Sequence, residues 1–220
     1  MKKLFFTLCV CVMSLLSQAQ ADSSYVDFGV NVIRLANLGM GNSNLNYEIW
    51  NPYLFTADAH YKRIGLRVGV GMRSVTNTEL PTDANGQTTF QMDTSRVDLR
   101  IGLNYDFHVH PKWTCKFGID YFVSNESKRN TTEFTNEQEV KVETEHEIER
   151  AEKGISPFMF IQYHITPRVS LGTELLWRIS SFTLSDTDVS NLNDANIERK
   201  YEGTKRSVMA PTALFLNVRF

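Results

Sequence analysis

Arg96-Val97-Asp98-Leu99-Arg100-Ile101-Gly102-Leu103-Asn104-Tyr105-Asp106-Phe107 alternates two chemistries along one stretch of chain. Val97, Leu99, Ile101, Leu103, Tyr105 and Phe107 fall on one side, and Arg96, Asp98, Arg100, Asn104 and Asp106 on the other. Successive side chains of a β-strand point to opposite faces, so the stretch predicts a strand with one apolar and one charged face. The apolar face suits lipid, and the charged face has to be enclosed. Together they predict a transmembrane β-barrel.

Outward from this stretch the same rhythm recurs, giving segments at Val26 to Leu38, Tyr47 to Tyr61, Ile64 to Val75, Met92 to Phe107, Trp113 to Val123, Ile155 to Ile165, Val169 to Phe182 and Val208 to Phe220. The prediction is an all-β, eight-stranded antiparallel up-and-down barrel, the smallest of its kind. A strand of about 11 residues, rising about 3.3 Å each and tilted about 40°, covers about 28 Å, enough for an apolar band of about 25 Å. Lys62-Arg63, His108 to Lys112 and Thr166-Pro167-Arg168 read as tight periplasmic turns. Gly39 to Asn46, Thr76 to Gln91, Ser124 to Lys153 and Leu184 to Ser207 are longer and polar, and are expected as exterior loops.

Register is strongly specified, because an Arg or Lys facing lipid at the midplane costs about 2 to 4 kcal/mol. In the third segment Ile64, Leu66, Val68, Val70 and Met72 are expected outside, leaving Gly65, Arg67, Gly69, Gly71 and Arg73 in a narrow interior. In the seventh, Val169, Leu171, Leu175, Trp177 and Ile179 oppose Ser170, Gly172, Glu174 and Arg178. A soluble lipocalin-like barrel would place its charges the other way round. Aromatic girdles are expected from Phe28, Tyr61, Phe107, Trp113, Tyr163 and Phe220 at the periplasmic rim, and from Tyr47, Tyr53, Tyr121, Trp177 and Phe182 at the outer one.

At the start of the chain, Lys2 and Lys3, an apolar run from Leu4 to Leu16 and Ala19-Gln20-Ala21 read as a secretory signal over residues 1–21, with the barrel domain over 22–220. The run is too short for a transmembrane helix, which needs about 20 residues. Cys9 and Cys11 lie within the signal, so Cys115 alone would remain, without an intramolecular disulfide. Loss of Lys2 and Lys3 takes the formal charge from −2 to −4, and nothing suggests a nucleic-acid partner.

At the other end Leu214, Leu216, Val218 and Phe220 alternate with Phe215, Asn217 and Arg219. A closing aromatic on an outward-alternating strand resembles the assembly signal of bacterial outer-membrane barrels, and the chain is similar to small OmpX-like or OmpA-like membrane domains. The resemblance covers Val26 to Phe220 as a pattern of strands, turns and terminal Phe220. It implies the outer membrane of a diderm bacterium, contact with outer-membrane lipid, and recognition by the barrel assembly machinery through the C-terminal strand.

Arg67, Arg73, Arg96, Asp98, Arg100, Asp106, Lys116, Asp120, Glu174, Arg178 and Arg219 are expected in the lumen. Eight strands leave room for little beyond side chains, so these charges are expected to pair and plug the barrel. The alternative is a narrow path lined by arginine. From Glu133 to Glu152 runs an acidic segment including Glu137, Glu139, Glu143, Glu145, Glu147 and Glu149, within which Val140, Val142 and Ile148 alternate. That suggests a hairpin standing above the membrane with an edge open to strand addition.

Catalytic and metal signatures are weak. His146-Glu147 begins an H-E-x-x-H pattern, but Arg150 holds the fifth position. His108 and His110 share one strand face at i, i+2 and could bind metal with a third ligand, while His60 with Asp58 lacks a serine partner. No cofactor motif and no catalytic site emerge. The expectation is a monomeric, closed, non-enzymatic barrel presenting long polar loops for surface interaction or envelope integrity. A solute pore is the alternative, and a lipid-modifying enzyme a weaker one.

Overall fold

The computed structural model describes residues 24–39, 51–79, 88–135, 141–190 and 196–220. The proposed signal, Tyr47, Glu137, Glu139 and most of the first expected loop lie outside the described residues. The elements are β1 (Ser24–Asn31), α1 (Val32–Gly39), β2 (Phe55–Tyr61), β3 (Ile64–Glu79), β4 (Thr88–His110), β5 (Trp113–Thr135), β6 (Lys141–His164), β7 (Val169–Ser190), β8 (Asn196–Met209) and β9 (Phe215–Arg219).

All neighbours pair antiparallel, and the sheet closes on itself because β6 pairs with β7 while β7 also pairs with β9, and β9 with β1. The barrel therefore has eight staves. The last is split, with β8 along the upper half of β7 and β9 along the lower half. The sequence pattern predicts one strand from Val208 to Phe220 instead. Pro211 has no N–H to give a ladder, and Ala210 to Leu214 leave the sheet. Ala213 tucks inside beside Met209, Phe215, Phe160 and Tyr53.

The first two expected strands are also shorter than their sequence pattern. β1 ends at Asn31, whose Oδ1 accepts from the Arg34 amide at 3.2 Å, and α1 begins there with an asparagine cap and closes at Gly39. Ahead of β2, residues Asn51 to Leu54 turn into the barrel and are buried. A Cβ on Gly71 would stand 1.9 Å from the Pro52 carbonyl oxygen, so only glycine lets this segment pass.

The largest departure lies in three of the expected exterior loops. β4, β5, β6 and β7 run 23, 23, 24 and 22 residues, and with β8 they turn most of Ser124–Lys153 and Leu184–Ser207, and the described ends of Thr76–Gln91, into strand. The outward face shows where the apolar band stops. On β4 it changes from Leu99 and Val97 to Ser95 and Asp93, on β5 from Tyr121 and Val123 to Asn125 and Ser127, and on β6 from Ile155 to Lys153. These positions are neighbours in register, Leu99 opposite Val123 and Tyr121 opposite Ile155, so the band ends at one height. Strands of 23 residues reach about 58 Å at a tilt of about 40°, so roughly half of each stands beyond the band.

Among the described residues β8 pairs only with β7, and β3 above Val70 only with β4. The six long staves thus form a cup whose strand wall, among the described residues, is lowest at β1 and β2. There the Arg34 guanidinium donates to the Met72 carbonyl at 3.1 Å, capping the start of the free β3 edge.

Candidate functional site

Alternation carries the charged side chains inward on every stave, and within the band they form two linked clusters. In the lower one Lys116 Nζ lies 3.2 Å from both Asp27 and Asp58, and Arg219 clasps Asp27 through Nε and Nη2 at 2.8 and 2.9 Å. Asp106 receives the Tyr25 hydroxyl and lies 3.3 Å from His60 Nδ1. Asn104 donates to Asp58 at 2.8 Å. In the middle cluster Arg67 binds Asp120 through Nε and Nη2 and also reaches Glu174, while Arg100 Nη1 holds Glu174 at 2.9 and 3.0 Å. Asn51, brought in by the segment before β2, donates to Glu174 at 2.6 Å.

Aromatic rings complete the filling. Arg67 lies 3.4 Å over the centroid of Phe158, Arg219 3.7 Å over Tyr25, Arg178 3.9 Å over Phe122, and Arg100 4.0 Å over Tyr53. A guanidinium shielded from water gains up to about 2 kcal/mol from such a face. The sequence reading misses these inward rings. Tyr53 is buried in the lumen rather than in the outer girdle, and Phe182 sits on the inward face under Arg150. Position parity is the available signal, since Phe122 lies two residues from Asp120 and Ser124, and Phe158 two from Ser156. Tyr61, Phe107, Trp113, Tyr121, Trp177 and Phe220 stand exposed on the outside.

Higher up, Asp98 accepts two bonds of 2.9 Å from Arg96 and lies 4.0 Å from Arg178. Arg73 lines a cavity of about 530 Å³ in the cup, together with Arg96, Glu126, Arg150, Glu152 and Arg178. Near the rim, His146 Nδ1 stands 2.6 Å from Asp188 and 3.5 Å from Asp186, across the β6–β7 ladder. This is the group of candidate metal ligands found among the described residues, and it does not include His108 or His110. No serine, threonine or cysteine joins the His146 ring among them. Because the triad depends on strand pairing, the sequence gives no spacing signal for it. The outer surface of the cup carries solvated pairs such as Arg129 with Glu145 at 2.8 Å. On β8 the Lys200 ammonium, 2.9 Å away, holds the Glu198 carboxyl below its ordinary range, helped by Ser185.

No protein-family model and no curated protein matches the chain. The structure is similar, with a TM-score of 0.43 and 12% identity over 91% of this chain and 100% of the other, to the crystal structure of a major outer membrane protein from Thermus thermophilus.

Proposed function

We propose that the protein is an integral outer-membrane barrel with a sealed lumen, working through the sheet it raises above the bilayer. The observation that carries this reading is the filled cross-section. Arg67, Arg100, Lys116, Asp120 and Glu174 are each no more than 5% exposed, and the Asn51 to Leu54 segment is packed among them. A barrel of eight staves has no further room for a path once such side chains interlock. The continuous apolar band, bounded at one height on the exterior, supports the membrane location, and the secretory signal supports the route.

Above the band, the free edges of β3 and β8 present backbone donors and acceptors without a neighbouring strand among the described residues, the geometry used for strand addition by an extended segment of another protein. The proposed role is therefore surface interaction or envelope support by a monomeric barrel, with no catalytic step assigned. The test is current through a planar bilayer carrying the folded protein, with insertion verified by heat-modifiable gel mobility. Silence is expected. Reproducible single-channel steps would overturn the sealed-lumen reading in favour of a solute conduit, and recovery of the protein in the soluble periplasm would overturn the membrane one.

A further inference from the structure

The cavity in the cup is enclosed by side chains from six different strands, and its charge is unbalanced. Arg73, Arg96, Lys128, Arg150, Arg178 and Lys205 face it against Glu126 and Glu152, a formal excess of four positive charges. Most of these cations are occupied: Arg73 and Lys205 have partners, Arg96 holds Asp98, Lys128 lies 3.2 Å from Glu126, and Arg150 Nη2 donates to Glu152 at 3.0 Å. Arg178, at the base, is different. It is 3% exposed and backed by the Phe122 ring, yet its Nε and Nη2 find no hydrogen-bond acceptor. Asp98, at 4.0 Å, lies beyond hydrogen-bond reach. The Arg150 Nε, higher on the same wall, also lacks an acceptor.

A buried guanidinium with unused donors carries a desolvation cost that an incoming acceptor removes. The planar fork of donors suits an oxygen-rich anion, and cations converging from several strands suit one with several charged oxygens. We propose that the cup is a binding site for a phosphate-type oxyanion, whose oxygens accept from Arg178 at the base and Arg150 on the wall. Met92, Ile148, Leu184 and Met209 form the apolar part of the lining, beside Thr94, Ser124 and Ser207, so the same pocket accommodates the apolar neighbourhood of a phosphorylated headgroup. The inference rests on the cup itself and goes beyond the strand-edge role.

The test uses the folded full chain in non-ionic detergent micelles, titrated calorimetrically with inorganic pyrophosphate and, separately, with mixed micelles containing phosphatidic acid. Saturable binding is expected, weakened at least about tenfold by Arg178→Gln, the loss of hydrogen bonds to a charged group. Glu126→Gln, which removes an opposing carboxylate, is expected to tighten it. Binding of both probes assigns the free ion's chemistry, and binding of the lipid alone assigns the headgroup. Folding of each variant is read from heat-modifiable mobility, and Arg150→Gln replaces Arg178→Gln if the latter does not fold. No saturable binding of either probe, or unchanged binding in the folded arginine variant, would overturn the proposal.

Discussion

At the residue scale, Glu174 sits where two arginines and an asparagine converge. Removing one member of a buried charge cluster leaves its partners uncompensated, at a cost of about 3 to 5 kcal/mol. Glu174→Leu is therefore expected to lower the free energy of unfolding in micelles by that order, read as a lower urea midpoint. Adding Arg67→Met should restore part of the loss, because the second substitution removes a charge the first had stranded. An unchanged midpoint in Glu174→Leu would show that the cluster is not tied together as its distances indicate. Which face Arg67, Arg100 or Glu174 takes follows from counting by twos along a strand. That Arg67 and Arg100 meet at Glu174 does not, since it depends on the curvature that brings β3, β4 and β7 across the lumen. The inward Phe158 and Phe160 are harder still, because Pro157 to Ile161 is apolar throughout and shows no alternation of its own.

Elements tell a different story, because hydrophobic alternation reports the solvent outside a strand as much as the strand itself. On β5 the outward series Phe117, Ile119 and Tyr121 gives way to Asn125, Ser127 and Arg129 with no break in the ladder. Where the apolar band ends, both faces become polar, and a rule that looks for one greasy face stops too soon. The contrast is testable along single strands. Leu99→Arg, within the band, is expected to impair insertion at a cost of about 2 to 4 kcal/mol. Ser127→Arg, on the outward face above it, should insert like the parent. The measurement is the folded fraction on lipid vesicles by gel mobility, and equal yields from the two variants would misplace the band. α1 has the opposite problem, since Val32 to Leu38 is apolar enough to pass for strand. Only the Asn31 cap and closing Gly39 mark it as a helix.

On the scale of the whole molecule, staves of 22 to 24 residues stand beside β1 and β2 of 8 and 7 residues. The long ones place about 30 Å of ordered sheet beyond the apolar band, while the tight turns at Lys62-Arg63 and Pro111-Lys112 leave little on the opposite side. Reflectivity from a supported bilayer is expected to show a protein layer of about that thickness on one face only. Thin layers on both faces would mean that the long hairpins do not stand upright. The ring itself is readable from the even number of segments, but its uneven height is not, because the polar ladders carry no apolar signature.

That unevenness sets the direction from which the molecule is met. Among the described residues, the paired strands β1 and β2 stop near the top of the apolar band, with α1 following β1, while β3 to β8 rise above it. A solute in the surrounding fluid must find the mouth by a search in three dimensions and descend past the tall staves. For the barrel in its proposed membrane setting, an amphiphile already floating in the leaflet searches only a plane, and at β1 and β2 it meets the shortest of the described strands. The architecture thus ranks visitors by how they travel before any contact has tested what they are.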